Sequence, residues 1–461
     1  WSDPRQCCEL DLPPLDHRTV QPMSGARTPG QPSPLRRLAR QQPFRRWAVA
    51  NLFARLPLTM NLLALVLVGE AVTGSLATGA TLAGISTFSA GFTAQWRGRR
   101  LDRVELRAGL RGDLLLSCAA VSMLVIAVLL GAPVWVLGVL AGLEGVAYAA
   151  VLGGFRALLI PSVPPADIEA ANAIDAVFVE VAFVAGPAIA GALALLIPPV
   201  AVLVLMALAF AVAAVMLSWL PTRQPLAEDP STAGPAPLLT RGATPIYALT
   251  LFVGLSLGAW EAAMPARLAA FGLEPATAGP LLALTAAGSG VAGLFAANQR
   301  DPLRRGRIFG GSLLVLFGLA VLPTAIAPSL VLLAIALFVL GMPIAPLNAL
   351  ASLGLQRIVA EPRQAEGFAL FPAMVLIGVG TGQVVTGLLL DRVAAESLIT
   401  VLTVIPLVAG LVCLGAAFRR RLIGLPPGVG YLHDPTVRDP ASYRPVPITA
   451  AGAQTPAPEP A

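Results

Sequence analysis

Five ionisable residues sit inside strongly apolar runs: Glu144, Glu180, Asp175, Glu261 and Arg55. A charge held in hydrocarbon costs several kcal/mol unless it is paired or hydrated, so such residues are expected to face a polar interior. Burial favours the neutral form of a carboxyl group, which lets it take up and release a proton near neutrality. Glu144 and Tyr148 share one helix face by the i, i+4 rule, and at 100° per residue Glu180, Pro187 and Gly191 share another. Proton exchange at Glu144 or Glu180 competes with a plainer reading, in which either is a permanently protonated or arginine-paired structural group with Arg55 as partner. Asp175 lies nearer the end of its run, where solvation would make it an ordinary charge. Asp167, before Ile168-Glu169-Ala170, reads as a helix N-cap.

Other chemistries find little support. Cys7, Cys8, Cys118 and Cys413 have neither metal-ligand spacing nor a pairing pattern. His17 and His433 lie in the polar tails, so a histidine-ligated metal inside the apolar runs is excluded. No cofactor is expected, and an enzyme is disfavoured: a histidine cluster, a phosphate-binding glycine loop between strand and helix, and an appended soluble domain are all missing. All 31 basic residues are arginine, giving a net charge of +6, but they fall in short clusters between apolar runs and not on one basic face, which argues against nucleic acid as partner.

The elements that must position these groups follow from hydropathy. Of 461 residues, 56% are hydrophobic and 12% charged, and the mean hydropathy of +0.78 is that of a chain whose solvent is the bilayer. Spanning ~30 Å of hydrocarbon takes roughly 20 helical residues. Runs near 47–69, 76–96, 112–131, 133–155, 170–197 and 199–220 are followed, after a Pro-rich stretch, by runs near 246–268, 277–298, 308–326, 328–354, 366–390 and 396–418. The expected fold is an all-α polytopic membrane protein of about twelve spans. Its divisions are a disordered tail over 1–46, a six-helix half over 47–220, a linker over 221–245, a second half over 246–419 and a disordered tail over 420–461. Met23-Ser24-Gly25 reads as an ordinary start.

On this division Glu144 and Glu180 lie near the middles of spans four and five, Asp175 nearer the cytoplasmic end of span five, Glu261 in the outer half of span seven, and Arg55 about a third of the way into span one. Arginine asymmetry near the span ends predicts cytoplasmic termini, because Arg45, Arg46, the cluster Arg97 to Arg111, Arg156, Arg223, Arg300 to Arg307, Arg357 and Arg419 to Arg421 then all lie inside. Only Arg267 and Arg392 fall outside.

The two halves also repeat. Arg156 runs on to Gly186-Pro187-Ala188-Ile189-Ala190-Gly191, and Arg357 runs on to Gly382-Gln383-Val384-Val385-Thr386-Gly387. Matching the arginines sets Glu144 against Ala345; matching the glycine pairs sets Glu180 against Leu376. The carboxylates thus belong mainly to the first half, as a coupling site would.

The segment Gly98-Arg99-Arg100-Leu101-Asp102-Arg103-Val104-Glu105-Leu106-Arg107 resembles the loop signature of the major facilitator superfamily, with Gly98, Asp102, Arg103 and Arg107 matching and Glu105 in place of a glycine. The resemblance covers roughly 47–420 and implies a secondary transporter in a bacterial cell membrane, a monomer surrounded by lipid that moves a small molecule by alternating access. It further implies that Gly98 permits close helix approach and that Asp102 meets the positive end of span eleven. The Gly186, Pro187 and Gly191 stretch is similar to the fifth-span signature of export-type members, which points to proton-driven efflux of an amphiphilic or hydrophobic compound. Against a drug exporter, Ala141 to Ala150 lacks the arginine such members carry in span four. Import, facilitated transport and lipid flipping fit the same fold.

Overall fold

The computed structural model describes residues 34–222, 243–297, 306–359 and 364–422. Among the described residues every element is helical. Cys7, Cys8, His17, His433, Arg223, the linker core, the loop over 299–305 and both distal tails lie outside them.

A short α1 (Pro34–Arg40) leads into the first span, α2 (Gln42–Thr73). The first half continues with α3 (Leu76–Asp102), α4 (Leu106–Leu129), α5 (Val134–Tyr148), α6 (Val151–Ser162), α7 (Ile168–Ala194) and α8 (Pro199–Met216). The second half is α9 (Ala243–Ala269), α10 (Ala278–Ala297), α11 (Gly306–Ile326), α12 (Leu330–Gly341), α13 (Ile344–Ile358), α14 (Gln364–Leu390) and α15 (Ala395–Leu422). Taking α5 with α6 and α12 with α13, 11 spans are long and apolar enough to cross a membrane. The remaining span is α3, whose Thr, Ser and Gly content dilutes its apolarity and whose glycines seat it on α2 and α14. The protein is therefore an all-α, multi-pass membrane protein of the twelve-span class.

Spans four and ten are each broken, where the sequence predicts continuous helices. In span ten the break falls at Met342 and Pro343, where proline has no N–H to continue the ladder. In span four it falls at Ala149 and Ala150, and no residue type explains it. A second difference concerns the leader. Residues 34–40 and 42–46 are helical rather than disordered, because buried Leu38, Phe44 and Trp47 fasten α1 and the start of α2 to the bundle.

The α2–α3 turn shows how tightly the hairpins are closed. Gly74 has φ of 72°, a left-handed conformation open to glycine, and its N–H bonds the carbonyl of Glu70. Ser75 then caps α3, its side chain accepting from the Thr78 N–H. Below the turn Gly69 and Gly79 bring the two backbones into contact, and a side chain at either would collide with the other helix.

The halves meet along two seams. In one, Gly84 and Gly91 of α3 lie on the backbone of α14 while Gly380 and Gly387 of α14 lie on α3, each pair seven residues apart. Small residues at that spacing let two helices approach closely along their length. This seam is fastened at its arginine-poor end by Ser75 donating to Asp391 at 3.1 Å. At the arginine-rich end it is fastened by Gln95 and Arg99 donating to Glu366 at 3.2 and 2.7 Å. In the other seam Gly191 of α7 packs on Gly279 of α10.

Candidate functional site

Deep in the first half, three helices bring four polar side chains together. Asn61 on α2 donates through Nδ2 to Ser86 Oγ on α3 at 2.9 Å. Ser86 in turn donates to Glu144 Oε2 on α5 in a short bond, and Tyr148, one turn along α5, brings its hydroxyl within 3.4 Å of the same Ser86 oxygen. The spacing of Glu144 and Tyr148 puts both on the buried face of α5, as the i, i+4 rule predicts. Gly145 makes this possible by seating α5 on the backbone of Ser86, where any side chain would clash.

Glu144 is 1% exposed, and no basic side chain pairs with it among the described ion pairs. Two oxygens of the cluster, Glu144 Oε1 and Asn61 Oδ1, are buried without a donor. Buried acceptors are rarely left unsatisfied, and each costs about 1–3 kcal/mol. A proton on the Glu144 carboxyl would be a donor of the kind the cluster lacks. Asn61 and Ser86 escape the sequence reading because uncharged polar residues in apolar runs look like ordinary helix-packing residues.

Arg55 does not pair with Glu144 or Glu180. It turns to Asp175, Nη2 donating to Oδ1 at 2.7 Å and Nη1 to the Asp175 carbonyl at 3.1 Å. Asn51 adds a bond to the same carboxylate at 3.3 Å, and Arg156 approaches its other oxygen at 3.6 Å. Asp175 is 1% exposed, so it is a buried paired charge and not the solvated one its position near a run end suggests. The reason is that α2 and α6 close over this face of α7. Breaking such a pair leaves an uncompensated buried charge, at about 3–5 kcal/mol.

Glu180 is half-buried on α7 and its carboxylate lies against Gly290 of α10, across the boundary between the halves. Glu261 is half-buried on α9. Gly186 packs on Thr59 of α2, while α7 continues unbroken through Pro187, whose carbonyl meets Gly279.

The loop signature departs from its expected contacts. Gly98 borders open space, so close helix approach falls to Gly84 and Gly91 instead. Asp102 is exposed at the end of α3, and the partner at the start of α14 is Glu366, which itself occupies the positive helix end and draws Arg99 and Gln95. Arg103 caps α3, and Arg107 donates to the Leu220 carbonyl at 3.1 Å. Asp167 stands at the N-cap position of α7 but makes no cap bond. Its carboxylate is drawn off by Arg37 at 2.6 Å and Gln41 at 3.2 Å.

One buried ionic group is not foreseen in the sequence. Asp113 on α4, 0% exposed, accepts from Arg97 at 2.6 Å and Arg100 at 2.8 Å. The signal lay in the short α3–α4 connection, which folds residues 97 and 100 back over 113.

This architecture recurs widely among solved structures. The nucleoside transporter NupG, crystallised as a mutant, superposes with a TM-score of 0.65 at 15% identity, covering 80% of this chain and 98% of its own. The POT family transporter PepTSo gives 0.66 at 10% identity, covering 83% and 99%. The human organic anion transporter MFSD10 (TETRAN) gives 0.60 at 13% identity, covering 83% and 100%. At these identities the likeness concerns the fold. No curated protein matches the chain in sequence. The profile of the Major Facilitator Superfamily, however, matches residues 47–297, more than half of the chain, covering the first half and the first two spans of the second. With twelve spans in two packed halves, the chain belongs to the major facilitator superfamily.

Proposed function

We propose that the chain is a secondary active transporter working by alternating access between its halves, in which Glu144 carries a proton that drives export of a small amphiphilic or hydrophobic compound. The observation that carries this reading is the Asn61–Ser86–Glu144–Tyr148 cluster, a fully buried carboxyl group with no basic partner and two acceptors short of a donor. A group that binds one proton and hydrogen-bonds to α3 directly, and through Ser86 to Asn61 of α2, has an energy that depends on where those helices stand, which is what coupling requires.

On this reading the arginine-rich end is cytoplasmic, as charge asymmetry favours. The protein acts as a monomer, and Glu180 and Glu261 border the route of the substrate. Gly98, Asp102 and Arg103 belong to the gate with Arg99 and Glu366, while Arg107 ties the start of α4 to the Leu220 carbonyl within the first half. The Gly186, Pro187 and Gly191 face supports export. Proton-coupled import is the second reading, favoured by the missing arginine between Ala141 and Ala150.

The test is proton flux in proteoliposomes holding the purified chain, with lipophilic cations, nucleosides and organic anions presented in turn under an imposed pH gradient. The compound that evokes flux identifies the substrate class. Glu144→Gln keeps shape and hydrogen bonding but cannot titrate. Gradient-driven transport is expected to vanish while exchange of substrate for substrate persists. Full gradient-driven transport by this variant would move the role to Glu180, with Asp175 and Glu261 next.

A further inference from the structure

Away from the boundary between the halves, α4 and α8 pack side by side and leave a groove on the outer surface at the arginine-rich end. It encloses about 400 Å³ and is lined by Glu105, Arg107, Arg111, Gly112, Leu115 and Ser218. Arg107, Arg111 and Ser218 thus border a space that is open at Gly112, where an added Cβ would meet no other atom. The single carboxylate, Glu105, is taken up by Arg107 at 3.3 Å, and Arg107 also bonds the Leu220 carbonyl. Arg111 is exposed and enters none of the ion pairs of the described residues. The groove therefore carries net positive charge.

What lies next to it decides the ligand. From Arg111 an exposed apolar stripe descends α4 through Leu115, Met123 and Ile126, each three, four or eight residues on. A parallel stripe descends α8 through Val215, Val212 and Leu208 from Trp219, which is 55% exposed beside Ser218. A soluble anion would have no use for two hydrocarbon-facing stripes, whereas a lipid needs a cationic cap on an apolar track, with an aromatic ring at headgroup depth.

We propose that the α4–α8 groove binds one anionic phospholipid of the leaflet at the arginine-rich end, its phosphate between Arg107, Arg111 and Ser218 and its acyl chains along the two stripes. Charge complementarity selects an anionic headgroup over a zwitterionic one, because the groove has a guanidinium to spare and its one carboxylate, Glu105, is already taken up by Arg107. The site is separate from the buried Glu144 cluster, so it holds whichever direction transport takes.

The full chain, released from detergent in native mass spectrometry and titrated with phosphatidylglycerol or phosphatidylcholine, tests this. One phosphatidylglycerol is expected to be retained more tightly than phosphatidylcholine. Arg111→Gln is expected to weaken it roughly fivefold, the worth of one arginine near an anionic headgroup. Gly112→Leu, which fills the groove without altering charge, should weaken it comparably, and Arg45→Gln, exposed at the same end of the bundle, should leave it unchanged. Retention unaltered by Arg111→Gln and Gly112→Leu overturns the site. Equal loss with Arg45→Gln shows only a diffuse arginine field. Displacement by inorganic phosphate at concentrations near those of the lipid shows an anion site with no lipid specificity.

Discussion

The crossing of α5 over α3 in the first half and the crossing of α12 over α10 in the second are built alike and filled differently. In one, Gly145 rests on the backbone of Ser86; in the other, Gly341 rests on the backbone of Thr285. Aligning these two glycines puts Leu340 opposite Glu144, where counting from the arginines Arg156 and Arg357 suggested Ala345. The register differs because the two arginines are not structural equivalents: Arg156 sits in the middle of α6, whereas Arg357 sits in the last turn of α13. Leu340 is fully buried, as Glu144 is. The fold thus needs a glycine at each crossing and is indifferent to the neighbour's polarity. A carboxylate at one crossing and an aliphatic side chain at the other shows that packing alone does not call for Glu144, and this is the asymmetry on which the proposed coupling role draws.

The comparison breaks most visibly at the glycines. Gly145→Leu and Gly341→Leu should both abolish accumulation of monodisperse protein in membranes, because the new side chain collides with backbone and overpacking costs ~1–3 kcal/mol even where neighbours can yield. Survival of one and loss of the other would show that the two crossings are not equivalent. Glu144→Leu, which makes the first half resemble the second, sharpens the point from the other side. Its thermal midpoint should fall only modestly, since it strands the Ser86 hydroxyl at about 1–3 kcal/mol, while gradient-driven transport should be lost. Misfolding of this variant would make Glu144 a structural residue. The smallest effect belongs to the arginine-rich end of the α3–α14 seam, which has no counterpart within either half. Glu366→Gln should slow turnover by up to about fivefold, an exposed pair being worth no more than ~1 kcal/mol, and Asp102→Asn should slow it less. Equal rates for parent and Glu366→Gln would remove this contact from the gate.

The spans were legible because a bilayer demands long apolar runs, and ionisable residues inside them stand out for the same reason: Glu144, with Tyr148 on its face, is visible from spacing, but so is Glu180, and the sequence does not rank the two. What was not legible depended on contacts between helices. Asn61 and Ser86 carry no charge to betray them, although the low apolarity of α3 was a sign that one face of this span packs closely on other helices. Asp113 was masked by the arginines around it. Asp175 was misjudged because distance from a span end does not tell which helices cover it, and α1 was missed because a Pro-rich, Arg-rich leader gives no sign that Leu38 finds a buried place.

The two-residue connection at Gly74 and Ser75, with Gly69 against Gly79 beneath it, joins α2 and α3 into a hairpin with no slack for one arm to slide past the other. Asn61 and Ser86 ride on the two arms of that hairpin, so the hydrogen bond between them survives any displacement of the pair as a unit. Glu144 belongs to a different piece, α5. Any rocking of the hairpin along α14 would therefore be felt where Ser86 meets α5, at its bond to Glu144 and its contact with the Tyr148 hydroxyl, and the hairpin would act as a lever whose short arm ends on one turn of α5.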